Sequence, residues 1–406
     1  MKIYFKLKSF PQISETFIVS NLVYAKQKGF NIKIYTDKYL GLENSSQAQL
    51  LKTNHIEEDL VQPFHFSKNK FKKLVQIGLA LLNFKILRSI YPYYKLKRKK
   101  NLSPLATLIQ YKNFKKGLLH VHFNNALYPT IVQLSKIKYM NPKCIVTYHG
   151  YDAFLDTQQS FQSKYAEFYK KHVVAVTTNS NYLKQEVIKL GVEASLIHVI
   201  PIGIDVNQFK GQVKTINSNS EIQLITVGRL VQLKGQIYAV RAVKELISLG
   251  YNIKYTLIGE GNYRPILEAE VKKLNLCEHV IFEGSKSQDE IISYLQDSDV
   301  FMMPSTYDDV NGRREAFGLV SLEAQASGLP VIGFQSGGFP DTIVEGETGY
   351  AVEDRNHIAL AEKVKYIIEN KDVYQTMSSA AIEHASTFDF KHTTHKYLDL
   401  YRKYGE

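Results

Sequence analysis

Residues 304–334 read PSTYDDVNGRREAFGLVSLEAQASGLPVIGF, and the order of residue types in that stretch decides the fold. The apolar run Val300 to Met303 leads into it, and a polar loop follows. Phe317 and Gly318 stand where a helix starts, and the β-rich run Val331 to Phe334 closes the stretch behind a Gly. A short apolar run, a helix-length segment and a second apolar run make one unit of a parallel sheet covered by helices.

The same alternation continues outward. Strands are expected at Ile222 to Val227, Tyr255 to Ile258 and Val280 to Phe282 before the quoted stretch. Beyond the polar, turn-rich PIGIDVNQFKGQVKTINSNSE at 201–221, which reads as a hinge, the first half repeats the pattern. Its strands are expected at Ile3 to Leu7, Ile32 to Tyr35, Leu118 to Phe123, Cys144 to Tyr148, Val173 to Thr177 and Ile197 to Ile200, with helices ending near Gly29 and Gly191. The 406 residues exceed what one hydrophobic core serves. The division read here is 1–203, 204–388 and a last helix in 389–406, where Tyr397, Leu398, Leu400, Tyr401 and Tyr404 form a stripe that must pack on something.

Composition narrows the class. With 44% hydrophobic residues the chain can fill two cores, and its two cysteines, Cys144 and Cys277, cannot build a disulfide framework or a cysteine zinc site. MKIYFKLKSFPQ alternates apolar and basic residues and reads as a strand, not a signal peptide, and no apolar run of about 18 residues occurs. A cytoplasmic protein is expected. From Val61 to Tyr151 there are seventeen Lys and Arg and no Asp or Glu, so this half is expected to face a polyanion. The zinc-finger, basic-zipper and aromatic signatures of nucleic-acid binding are missing, which favours an anionic membrane surface. Within Lys68 to Lys100, Leu74, Ile77, Leu81, Leu82, Ile86 and Leu87 can form an apolar stripe beside Lys73, Lys85 and Arg88, as in an interfacial helix. A core-facing helix with a solvated basic edge is the alternative.

Open α/β sheets bind ligands beyond the carboxyl ends of their strands. GRLVQLKG at 228–235 puts Arg229 just past a strand and Lys234 at the start of a helix, a guanidinium, an ammonium and helix amides suited to a diphosphate. If the chain were helical from Glu315 to Glu323, the carboxylates would stand about 12 Å apart along the axis and about 80° around it. That separation suits a ligand with hydroxyls at both ends and an anion between, such as a nucleotide sugar. Glu315 would take the sugar, Glu323 the ribose, and amides near Phe317 and Gly318 the phosphates. His149 follows an apolar strand and precedes Gly150 and Asp152, which aims it at a ligand. His120 and His122 share one side of their strand; a metal pair is conceivable there, but structural roles are favoured. Ser14 and Thr16 are expected to cap the first helix and Glu15 to meet an acceptor. Gly259 and Gly261 resemble half a dinucleotide fingerprint, but Arg264 stands in place of its third glycine, so NAD is not expected.

From GRLVQLKG through IGEG (258–261) to SGGFPDTIVEGETGYAV (336–352), the glycines and paired glutamates resemble the family 4 glycosyltransferases. FPQISETFI (10–18), HVHFNNA (120–126) and TYHGYD (147–152) are similar to the colanic acid and amylovoran glycosyltransferase subgroup. The resemblance implies a GT-B fold: two Rossmann-like domains facing across a deep cleft, acceptor side first and nucleotide-sugar side second, with the C-terminal helix packing back toward the first. It implies retaining, metal-independent transfer without a cofactor, from a UDP- or GDP-sugar to a lipid-linked surface glycan at the inner face of the cytoplasmic membrane. Carried over residue by residue, it gives catalysis to His149, Arg229, Lys234 and Glu315. Donor binding falls on Gly228, Arg229, Lys234, Gly259, Glu260, Glu315, Ala316, Phe317, Gly318, Leu319 and Glu323, and acceptor or cleft contacts on Ser14, Glu15, Thr16 and Asp152. SET at 14–16 replaces a Gly-Gly pair, and Ile202 stands in for a common Asn. A sugar-nucleotide epimerase, a basic nucleic-acid-binding protein and an inactive partner subunit are the rival readings.

Overall fold

The structure, a computed structural model, describes residues 1–12, 15–114, 116–209 and 211–405. The chain forms two compact units. One comprises Met1–Thr178, Lys184–Ile200 and Thr394–Glu406; the other comprises Asn179–Leu183 and Pro201–Thr393. The division is therefore not linear: the last helix, Phe390–Tyr404, begins in the second unit and ends in the first.

The first unit is a parallel sheet of β1 (Lys2–Phe10), β2 (Asn31–Tyr39), β3 (Leu60–Val61), β4 (Leu118–His122), β5 (Lys143–Thr147), β6 (Val173–Thr178) and β7 (Ile197–Val199), in the order β3-β2-β1-β4-β5-β6-β7. The second is a parallel sheet of β8 (Ile222–Val227), β9 (Ile253–Ile258), β10 (Val280–Gly284), β11 (Val300–Met303), β12 (Val331–Phe334) and β13 (Gly349–Val352), in the order β10-β9-β8-β11-β12-β13. Helices cover both faces of such sheets, so central strands are buried on both sides and read as continuous apolar runs; β11, Val-Phe-Met-Met, is buried at every position. In each unit the strand order reverses beside the first strand, between β1 and β4 and between β8 and β11. The crevice at that reversal is where such sheets take ligands.

The stripe of the last helix finds its partner in the first unit. Leu398 and Tyr401 are fully buried in one cluster with Ile3 and Phe5 of β1 and with Ile18 and Leu22 of the helix Thr16–Gln27. In the second unit, Leu224, Tyr255 and Met302 pack under the helices Gln236–Ser248 and His357–Glu369, while Ile225, Phe301 and Val331 pack under Leu322 of the helix Leu319–Ala326.

The basic stretch departs from the single interfacial helix expected. It breaks into Lys70–Leu81 and Phe84–Lys97, bent by 101°, because Asn83 caps the second helix by accepting from the Ile86 amide at 3.2 Å. That break turns Ile86 into the core and leaves Ile77 half-buried, while Leu74, Leu81, Leu82 and Leu87 stay exposed. Lys85 is not a free cation beside the stripe. Its ammonium donates to the carbonyls of Lys112 and Phe114 at 3.4 and 3.0 Å, and burial lowers its pKa. Among the described residues no single helix is long and apolar enough to cross a membrane.

Candidate functional site

At the reversal point of the second sheet, the loop after β8 meets the loop after β11. Gly235 makes this approach possible: at φ +61° it is left-handed, and a Cβ there would lie 1.9 Å from the Pro304 carbonyl oxygen. The turn Gln232–Lys234 then leads into the helix Gln236–Ser248 and points Lys234 inward, where its Nζ lies 2.6 Å from Oε2 of Glu315. Both side chains are largely buried. Burial alone would push the Glu315 carboxyl up, but Lys234, Arg229 and Arg313 together outweigh it and hold it below the usual carboxylate range. Arg229 is exposed, and among the described residues its side chain makes no hydrogen bond or ion pair. Gly228 donates its amide to the Ile258 carbonyl and Gly259 its own to the Gly284 carbonyl, which stacks the loops after β8, β9 and β10. A Cβ on Gly259 would lie 2.1 Å from the Gly228 carbonyl oxygen. Glu260 is tied at 2.7 Å to Arg264.

The glutamates do not share a helix. Gly318, at φ +100°, is the N-cap of the helix Leu319–Ala326, so Glu315, Ala316 and Phe317 belong to the loop before it, and the axial spacing expected for the pair does not apply. That loop is held by a cradle the sequence reading had not given a role, Ser336 to Gly338. The Gly338 amide donates to the Glu315 carbonyl at 2.8 Å, and Cβ atoms on Gly337 and Gly338 would each sit 2.1 Å from the carbonyls of Glu315 and Ala316. Ser180 donates to the Ala316 carbonyl at 2.5 Å. Phe317 is buried, with Leu319 half-buried beside it. Glu323 lies within the helix, half-buried; burial pushes its carboxyl up to about 7, with a Gln288 hydrogen bond opposing.

In the first unit, the ends of β4 and β5 bring three histidines together. Their parallel register pairs His122 with Thr147, two residues before His149. His149 Nε2 lies 3.1 Å from Nδ1 of His122, and the His149 ring packs between Phe17 and Phe123, at 4.8 and 4.5 Å between centroids. Nε2 of His122 is buried without a hydrogen-bond partner. Either ring can be the donor in this contact, the direction being set by the two tautomers. Burial and the neighbouring His122 hold the His149 imidazole well below its usual pKa, hence neutral. His120 is fully buried between Tyr401 and Thr147, at 2.6 and 2.7 Å. Both of its ring nitrogens are engaged in these contacts; among the described residues no group of three or more His, Cys, Asp or Glu side chains is placed to hold a metal.

Asp152, expected as an acceptor or cleft contact, is occupied by the backbone around it. It is buried, its Oδ1 accepts from the amides of His149 and Gly150 at 3.0 and 3.2 Å, and its Oδ2 accepts from the Asn124 amide at 2.8 Å. It fastens the His149 loop to the loop after β4. Ser14 lies outside the described residues. Thr16 is the first residue of its helix and not its cap; that position falls to Glu15, which makes no side-chain capping bond. Glu15 accepts from Gln12 at 2.9 Å, and burial pushes its carboxyl up to about 7.

Residues 25–208 match the model of Glycosyltransferase Family 4, and residues 208–384 match that of the Glycosyl transferases group 1. The chain is similar to the amylovoran biosynthesis glycosyltransferase AmsK of Erwinia amylovora, 25% identical over 89% of each chain. It is also similar to the putative colanic acid biosynthesis glycosyltransferase WcaL of Escherichia coli, 23% identical over 90% of each. Among solved structures it resembles Anabaena HepE, crystallised with UDP, at a TM-score of 0.73, 18% identity and coverage of 99% and 100% of the two chains. At that identity the likeness is one of fold.

Proposed function

Because this chain belongs to the glycosyltransferases, with a Family 4 half followed by a group 1 half of the GT-B kind, we propose that it moves a sugar, with retention, from a UDP- or GDP-sugar onto a growing polysaccharide. The Lys234–Glu315 ion pair at the reversal point of the second sheet carries the reading. A cation held against a carboxylate, with the exposed Arg229 beside them, offers charge to a diphosphate and acceptor oxygens to a sugar within one loop cluster. Glu323, eight residues farther along the same segment and inside the helix that follows the loop, takes the ribose hydroxyls, which donate to its carboxylate.

In the reaction proposed, the bond from the anomeric carbon to the diphosphate oxygen lengthens until the sugar has oxocarbenium character. Arg229 and Lys234 take up the charge that grows on the leaving diphosphate. The acceptor hydroxyl attacks the same face, its oxygen bonds to the anomeric carbon, and its proton passes to the departing phosphate oxygen. Positive charge comes from the two side chains, so neither metal nor cofactor has a part in this reading. His149, neutral, is a hydrogen-bonding group for a sugar hydroxyl, and Glu15 a contact for the acceptor.

The names of AmsK and WcaL, which concern amylovoran and colanic acid biosynthesis, support a surface glycan of the capsule, exopolysaccharide or lipopolysaccharide type as product. We read the acceptor as lipid-linked and the enzyme as peripheral on the inner face of the cytoplasmic membrane, on the strength of the acid-free basic stretch. A panel of UDP- and GDP-sugars scored by thermal shift tests donor binding, since a ligand that binds only the folded state raises its stability. Stabilisation by one sugar nucleotide, with turnover only when an acceptor glycan is added, is the expected result. Turnover of the donor alone into an isomer would replace transfer with epimerisation.

A further inference from the structure

We propose that the helix pair Lys70–Leu81 and Phe84–Lys97 inserts its apolar corner into an anionic lipid surface, so that hydrophobic burial and not charge alone holds the chain there. The proposal deepens the membrane reading above and rests on it for its biological use, though not for its physics. The inner side of the pair is fixed: Ile86, Ser89 and Tyr93 are buried, and Lys85 is bonded to two backbone carbonyls with its ammonium 4.4 Å from the centroid of the Tyr139 ring. The outer side is thereby fixed too. Phe71, Val75 and Leu79 line it on the first helix at four-residue spacing with Leu74 beside them, Leu82 and Phe84 form the corner, and Tyr91 continues it on the second helix. Phe71, Leu82, Phe84 and Tyr91 are 75%, 82%, 76% and 73% exposed. An apolar surface of this extent marks an interaction site.

Charge selects the occupant. Lys70, Lys72, Arg88 and Lys95 are exposed around the apolar face, and no acid lies between Val61 and Tyr151. A second copy of this face would set the same cations against each other, which is repulsive. A nucleic acid would engage the cations but leave the leucines and phenylalanines unused. An anionic bilayer uses both. Separately the two helices reach about 18 and about 21 Å, short of the ~30 Å hydrocarbon core, and the 101° bend keeps them from adding end to end, so the pair is assigned to the interface and not to a straight span.

The chain has no tryptophan, so Leu82→Trp supplies a single indole at the corner. The full chain is mixed with vesicles of equimolar phosphatidylglycerol and phosphatidylcholine, or of phosphatidylcholine alone, at about 0.1 and about 0.5 M salt, where surface charge is increasingly screened. Insertion gives a blue shift and quenching by acyl-brominated lipid on the anionic vesicles, with binding that persists at the higher salt. Changing Leu79, Leu82 and Phe84 together to Ser lowers co-sedimentation at least tenfold and leaves the thermal shift with UDP or GDP unchanged. An unshifted indole with binding lost at high salt would reduce the surface to a screened electrostatic contact and overturn the proposal. So would a concentration-dependent dimer, abolished by the triple substitution, with no vesicle binding. Insertion without any nucleotide binding would instead sink the enzyme reading and leave this one standing.

Discussion

Lys234 Nζ and Glu315 Oε2 stand 2.6 Å apart, so the cation read as a phosphate binder and the carboxylate read as a sugar binder are partners in one ion pair. Either substitution therefore alters both functions, and the two cations of the site are not equivalent. Lys234→Ala and Arg229→Ala each remove about 2 to 4 kcal/mol of transition-state stabilisation, a fall of some hundredfold in kcat/KM. Only Lys234→Ala should also lower the melting temperature, by the equivalent of about 1 to 3 kcal/mol, because it strands a largely buried carboxylate. Arg229 is exposed and its loss leaves nothing unpaired. Wild-type turnover in either variant removes it from the site.

Glu315→Gln has an opposite pair of effects. Turnover falls, because the carboxylate is the proposed acceptor for the sugar's hydroxyls, while the free nucleotide diphosphate binds several-fold more tightly, because Lys234 is released from its anionic partner. Calorimetric titration with UDP or GDP measures the second effect. Weaker binding in this variant would mean that Lys234 needs Glu315 to hold its position.

Glu323 titrates near neutrality, and that fixes a sign. Its folded pKa, about 7, lies above the ordinary 4.5, so the folded chain holds this proton more tightly than the unfolded one. The stabilisation is complete below pH 4.5 and is lost as pH rises toward and through 7. Glu323→Gln should therefore nearly match wild type in melting temperature at pH 4.5 and exceed it at pH 8, by the equivalent of about 3 kcal/mol. Donor affinity moves the other way: in wild type it rises from pH 6 to 8 as the carboxylate forms, and in the variant it is weak and flat. A pH-independent difference in melting temperature would place this carboxyl in solvent.

Asp152→Ala should cost about 3 kcal/mol of stability, since three backbone amides lose one charged acceptor. A drop below 1 kcal/mol by chemical denaturation would show that water replaces it.

Excess EDTA should leave transfer largely intact, because Arg229 and Lys234 carry the charge that a metal would otherwise neutralise. Abolition by chelator, restored by a divalent ion, contradicts this.

How much of this was legible depended on where the signal lay along the chain. β8, β11 and β12 have the bounds expected, because each is an apolar run closed by Gly, Pro or a polar residue. β3 is only two residues long and carries no periodicity, and β13 begins with Gly349, whose Cβ would lie 1.9 Å from the Val331 carbonyl oxygen; a close approach of that kind has no hydrophobic signature. The Glu315–Glu323 pair was legible as a motif but not as a geometry, since the left-handed Gly318 between the two ends the loop that holds the first. The His122–His149 contact spans 27 residues. It was available in principle, because His122 ends one strand and His149 lies two residues beyond the next, but only the register of β4 against β5 turns that spacing into a hydrogen bond.

The last helix reverses the usual order in which a two-part chain matures. Its Leu398 and Tyr401 complete the core of the first unit, so everything from Met1 to Ile200 leaves the ribosome with that pocket still open to water. The second unit, translated later, has all its residues in hand sooner. A nascent first half thus waits with apolar surface uncovered, the condition under which folding chains aggregate or recruit chaperones. A stop codon at Thr394 would leave the second unit whole yet injure the first, and a half-chain ending at Ile200 would need the last helix supplied as a separate peptide.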